Sequence, residues 1–217
     1  MAGSELQRFL RSYQTGQIVQ NFPDARLGEM KNTVVRVGLF GLTGSGKSSF
    51  VNTVVKCVEG KDEELAIVQS SGAEGESMET SMTGEDYKLS REIHVVLWFV
   101  KGTDPRLESG TYQSHMAYLK KQLIDRAMKT LTIITHDDEL QRKGCTDQQR
   151  HNIAEQAREI TGSDQDDTYF LTNYTKGKPF PSDQEQQVLD VVKTALTAAE
   201  YTIRMRQSKR KLKMLLA

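Results

Sequence analysis

A chain of 217 residues, 37% hydrophobic and 27% charged, fits one globular domain with terminal extensions better than two full domains. Lys and Arg balance Asp and Glu at 29 each, so no net field argues for nucleic acid as a partner. Two cysteines without CxxC spacing, Cys57 and Cys145, exclude a disulfide framework and fit free thiols in a reducing cytosol. The start lacks the apolar core of a signal peptide, and no apolar run approaches the ~20 residues of a bilayer span, so a cytoplasmic protein is expected.

Ser4 with Gln7 reads as a capping box, and Leu6, Phe9, Leu10 and Tyr13 then recur at helical spacing until Gly16. Residues 21–32 read as a linker. Val34 to Phe40 is short and β-branched, a buried strand that leads into a glycine-rich turn. Phe50, Val51, Val54, Val55 and Val58 mark one face of the helix that follows. Ser70 to Gly84, polar and poor in branched apolar residues, predicts a mobile loop, with an edge strand near Tyr87–Leu89. Ile93 to Val100 is the strongest strand signal in the chain. Tyr112, Met116, Leu119 and Leu123 predict a helix, and Leu131 to Thr135 a further buried strand.

Thr146 with Gln149 predicts the cap of another helix, carrying Ile153, Ala154, Ala157 and Ile160, before a short strand at Tyr169–Thr172. Ser182 with Glu185 reads as the box that opens a final helix running past Arg206. Strands alternating with helices imply an α/β fold, a mostly parallel sheet between two layers of helices. The expected partition is an N-terminal helix and linker at 1–31, a core at 32–182, and a C-terminal helix with a basic tail at 183–217.

The chemistry concentrates at Gly41-Leu42-Thr43-Gly44-Ser45-Gly46-Lys47-Ser48, which fits G-x-x-x-x-G-K-[ST] between a buried strand and a helix. Glycines at 41, 44 and 46 permit backbone angles closed to other residues, so successive N–H groups can converge on phosphate oxygens. The helix starting near Lys47, with Ser49 in its first turn, directs its positive dipole end at the same anion. Lys47 would reach the β- and γ-phosphates, and the Ser48 hydroxyl would ligate Mg²⁺. Thr135-His136-Asp137-Asp138 matches the [NT]-K-x-D guanine motif with His in the lysine position. The Asp138 carboxylate can accept from guanine N1–H and the exocyclic amine, which adenine does not offer there. His136 could lie against the purine. A second reading stays open, in which these acids simply favour a helix start. Asn173 is a candidate base contact and equally an ordinary turn residue. The other histidines show no ligand spacing, and Trp98 reads as core.

The loop, the Thr-His-x-Asp element and the terminal Asn, in this order, resemble the septin-like branch of the P-loop GTPases. That branch includes septins, GTPases of immunity-associated proteins and chloroplast import-receptor GTPases. Val34–Gly60 is also similar to the interferon-induced G-domain proteins, especially at Ser48-Ser49-Phe50-Val51-Asn52. The resemblance spans about residues 34–200. It implies a three-layer G domain binding GTP or GDP with Mg²⁺, a switch threonine for which Thr80 and Thr83 are candidates, and a homodimer paired across the nucleotide face.

The chain departs from that pattern in one respect. No D-x-x-G, whose Asp supports Mg²⁺ and whose Gly senses the γ-phosphate, occurs between Ser48 and Thr135. Were Val95–Gly102 the strand that bears it, Phe99 would stand in place of the Asp; Ile93–Lys101 reads better as the next strand along. The expectation is a GTP-binding switch or assembly module with slow hydrolysis or none. A P-loop phosphotransferase or ATPase and a pseudo-GTPase scaffold are the rival readings. The last seventeen residues hold six Lys or Arg and no acid, which suits an acidic membrane surface, a partner helix or plain solvent.

Overall fold

The computed structural model describes residues 6–9, 35–60, 93–107, 109, 111–126, 128–178 and 180–215. In chain order these form β1 (Val37–Phe40), α1 (Lys47–Glu59), β2 (Val95–Lys101), α2 (Thr111–Asp125) and β3 (Thr130–Thr135). Then come α3 (Asp137–Arg142), α4 (Asp147–Thr161), β4 (Thr168–Leu171) and α5 (Ser182–Leu215), with a 3-10 turn at Gln165–Asp167 leading into β4. The four strands make one sheet in the order β1-β2-β3-β4, every pair parallel.

Parallel strands are covered on both faces and so need nearly continuous apolar sequence. β2 (VVLWFVK) is buried at every residue but Lys101, and β3 (TLTIIT) throughout. Alternation along the strands then sorts the core into two layers. Val95, Leu97, Phe99, Leu131 and Ile133 pack with Phe50 and Cys57 of α1 and with Val188, Leu189 and Ala199 of α5. Trp98, Val100 and Ile134 face the other way, onto Tyr112 and Met116 of α2 and Ala154, Ala157 and Ile160 of α4. The result is an α/β fold with helices on both faces of the sheet. Because α5 packs directly on the sheet, it shares the core assigned by sequence to 32–182.

Several sequence expectations are met locally. Gln149 N–H donates to Thr146 Oγ1 at 3.3 Å, and Thr146 N–H to Gln149 Oε1 at 2.8 Å, so the box on α4 is closed in both directions. Trp98 is fully buried. His94 is a core residue, its Nδ1 accepting from Arg36 N–H at 3.0 Å. Neither cysteine is in a disulfide; burial, then the charge of Glu185, pushes the Cys57 thiol up to about 12, so it stays protonated at neutral pH.

Two expectations need correction. The first strand is Val37–Phe40, so Val35 and Arg36 of the β-branched run precede it, and Val34 lies outside the described residues. Before it, Arg36 bonds to His94 on both sides, its N–H to Nδ1 and its carbonyl to the His94 N–H at 2.9 Å. The capping box on α5 does not form. The Pro181 carbonyl accepts from the N–H groups of both Gln184 and Glu185 at 3.1 Å, so Pro181 occupies the cap and Ser182 is already helical. Glu185 Oε1 is left buried without a hydrogen bond.

Residues 6–9 are helical, with Leu6 fully buried in the layer under α5 and Phe9 packed at its edge. The rest of the N-terminal helix, the linker, the polar loop at Ser70–Gly84 and the strand near Tyr87–Leu89 lie outside the described residues. No described helix is long and apolar enough to cross a membrane.

Candidate functional site

The site gathers at the carboxyl ends of the strands, where open parallel sheets leave crevices. Between β1 and α1 the chain turns back through Gly41, Gly44 and Gly46, with φ of 139°, 77° and 90°. At two of these the lack of a side chain is compulsory twice over. A Cβ on Gly41 would stand 2.3 Å from the Phe99 carbonyl oxygen, and one on Gly46 2.8 Å from Asn173 Nδ2. Ser45 N–H donates to the Leu42 carbonyl at 3.1 Å and closes the turn.

Lys47 folds back over this loop. Its Nζ donates to the carbonyls of Gly41 at 2.8 Å and Leu42 at 2.9 Å, with Ser45 Oγ at 3.5 Å. Burial lowers its pKa. The start of α1 runs against ordinary helix electrostatics. It has no side-chain cap and no acid in its first turn, and a lysine stands at its first position, where the dipole favours negative charge. A bound anion would satisfy all three features at once.

The ends of β3 and β4 are pinned to the same loop. Thr135 Oγ1 donates to the Ser45 carbonyl at 2.9 Å, and Asn173 Nδ2 to the Gly46 carbonyl at 3.1 Å. Tyr174 N–H reaches Thr53 Oγ1 on α1 at 2.9 Å. His136 caps α3 in a left-handed conformation, φ 63°, the one such non-glycine among the described residues. Its Nδ1 lies 2.9 Å from Thr135 Oγ1. With the threonine hydrogen committed to a carbonyl, Nδ1 must be the donor, which leaves Nε2 of the neutral ring as an acceptor. Burial, then the charge of Lys101, lowers the His136 pKa and keeps the ring neutral at pH 7.

The two adjacent acids divide their roles. Asp137 is buried, accepting from Gln141 Nε2 at 2.9 Å and paired with Arg150, whose guanidinium lies 4.1 Å from the Phe170 ring centroid. Asp138 is open to solvent. Its N–H is held by Thr172 Oγ1 at 3.1 Å, and its carboxylate meets Arg142 at 3.1 Å in an exposed pair one turn along α3. Such a pair contributes about 0.3–0.5 kcal/mol and yields easily to a better partner. Asp137 is therefore the brace that seats α3, and Arg150→Met should cost about 3 kcal/mol of stability by stranding the buried carboxylate. Chemical denaturation checks this, and an unchanged midpoint would refute the brace.

Asp138, His136 and Asn173 share a polar cavity of about 430 Å³ with Ser49, Thr172 and Phe180. Asn173, which lines it, has its Oδ1 buried without a donor. The sequence-assigned residues Gly41, Thr43, Gly44, Ser45, Gly46, Lys47, Ser48 and Ser49 are thus brought together with His136, Asp138 and Asn173. Thr80 and Thr83 lie outside the described residues. Thr135, Thr172 and Thr53 act as struts that no sequence motif marked; a threonine closing the buried strand β3 was the available signal for the first. Sequence reasoning also missed Arg142 and Lys178 on the cavity wall.

A scan against protein-family models finds no matching family, and a search of curated proteins finds no matching relative.

Proposed function

We propose that this chain binds a guanine nucleotide, with the polyphosphate in the Gly41–Ser48 loop and the base in the cavity walled by His136, Asp138 and Asn173. It then acts as a switch or assembly module of the P-loop G-domain kind. The observation that carries the reading is the uncapped start of α1, with Lys47 clamped over a loop of left-handed glycines and tied through Thr135 and Asn173 to a cavity that holds an open carboxylate. A triphosphate supplies the missing anion. Guanine supplies two donors in place of the weak Arg142 pair, and adenine offers Asp138 neither of them.

Mg²⁺ would take the Ser48 hydroxyl and oxygens of the β- and γ-phosphates, the hard donors it prefers, and would neutralise charge on the phosphates. Among the described residues no group of three or more His, Cys, Asp or Glu side chains gathers to hold a metal unaided. β2 lies between the loop strand β1 and β3. Phe99 on it is fully buried, its ring 5.2 Å from that of Phe50, and offers no ligand. With no D-x-x-G carboxylate, hydrolysis should be slow.

Titration of nucleotide-stripped protein with fluorescent GTP and ATP, with and without Mg²⁺, tests the proposal. GTP should bind more tightly than ATP and gain affinity with the metal. A preference for ATP would favour a phosphotransferase, and no binding of either a scaffold. Single-turnover hydrolysis should proceed at or below the roughly 10⁻⁴ s⁻¹ of an unassisted G domain; a rate near 1 s⁻¹ would refute the account of the missing acid.

A further inference from the structure

Beyond the core, the helix α5 carries an apolar line that leaves the body at Ala198 and is exposed from Tyr201 onward. Its 34 residues span about 50 Å at ~1.5 Å per residue, and Ile203 is the last of its described side chains to be buried in the body. Thr194, Ala198, Tyr201, Met205, Ser208, Leu212 and Leu215 then follow at alternating spacings of four and three, the a/d rhythm of a coiled-coil seam. From Tyr201 onward this line is open to solvent, with Tyr201 64% exposed, Met205 42%, Leu212 58% and Leu215 82%. The seam begins in an open groove of about 510 Å³ between α5 and the body, walled by Lys193, Thr194, Thr197, Ala198 and Tyr201 of α5 on one side and by Lys129 and Asp167 on the other. Groove and seam are continuous.

We propose that this face docks an acidic amphipathic helix of another protein, seated in the groove and running out along the seam to Leu215. Charge chooses the occupant. The positions that flank the seam include Arg204, Lys209 and Lys211, with no acid after Glu200. In a second copy of α5, parallel or antiparallel, these flanks would face one another, like against like. A helix with Leu or Ile in its seam and Glu or Asp beside it meets both the apolar line and the flanking charge. The narrow width favours a helix over a lipid surface, which calls for an apolar face of at least about 100°.

The probe is a synthetic peptide with Leu at a and d and Glu at e and g, whose own charge keeps it from pairing with itself. Mixed with the full-length protein, it should gain helicity by circular dichroism and bind less tightly as salt rises. Tyr201→Glu with Leu212→Glu, both on exposed positions and neutral to the fold, should weaken it by about tenfold or more, as expected when apolar anchors are lost. Equal binding of a peptide with Lys at e and g, or no binding of the acidic one, overturns the proposal. So does dimerisation of the protein through this face in sedimentation, or preferential binding to phosphatidylserine vesicles abolished by the same substitutions.

Discussion

Lys47→Met should weaken GTP binding by about a thousandfold while leaving the fold intact. The ammonium can form two charge-assisted bonds to phosphate oxygens, each contributing roughly 1.5–3 kcal/mol, so losing both removes ~4 kcal/mol of binding. The stability side follows from linkage. Burial holds the folded-state pKa of Lys47 below its ordinary value, so the unfolded chain binds the proton more tightly. The charged lysine therefore opposes folding below that depressed pKa, and the opposition fades as pH rises toward the ordinary lysine value. Methionine removes it at neutral pH, at the expense of two hydrogen bonds to the Gly41 and Leu42 carbonyls. These effects oppose each other, and the melting temperature should move by no more than about 4 °C, roughly 1 kcal/mol for a chain this long. Calorimetric titration and thermal melting together decide the matter. Loss of folding in step with loss of binding would make Lys47 a structural clamp and nothing more.

How much of this site is legible in the chain depends on how local the physics is. The glycine turn is local: glycines spaced between a strand and a helix predict it, and all three adopt the positive φ such a turn needs. The layers are legible too, because burial of β2 and β3 on both faces forces continuous apolar sequence. The base side is not local. Which of two neighbouring acids is free depends on Arg150, thirteen residues beyond Asp137 and on another helix. Nothing in the string Thr-His-Asp-Asp separates the buried brace from the open acceptor. The Thr135 and Asn173 struts span 90 and 127 residues of sequence, and only the parallel sheet brings their ends to the loop. The failed box at Ser182 errs in the opposite direction. A local signal was present, and a competing local effect, the Pro181 carbonyl closing the first turn, displaced it by one residue.

Those long struts bear on how occupancy would be communicated. Asn173 holds the Gly46 carbonyl through Nδ2, and the residue lines the cavity shared by His136 and Asp138. Thr135 bonds both the Ser45 carbonyl and the His136 ring. The proposed base and phosphate subsites would therefore be joined by two side chains, and a ligand that orders one would pre-order the other.

That arrangement makes the base acceptor the most informative position to change. Asp138→Asn should exchange guanosine for xanthosine preference, with GTP weakened by about a hundredfold and XTP strengthened by about tenfold, ~4 kcal/mol in the difference. Asparagine turns one acceptor into a donor, which opposes the guanine amine and matches the xanthine carbonyl at the same place. The N1–H contact survives with the remaining oxygen. Release of Arg142 from its pair adds little, because that pair is exposed and weak. The fold should not respond, since Asp138 is half exposed and its backbone N–H keeps Thr172. Competition of GTP and XTP against a fluorescent guanine nucleotide reads both directions of the exchange. GTP affinity indifferent to the substitution would remove guanine from the cavity and leave only the phosphate half of the site.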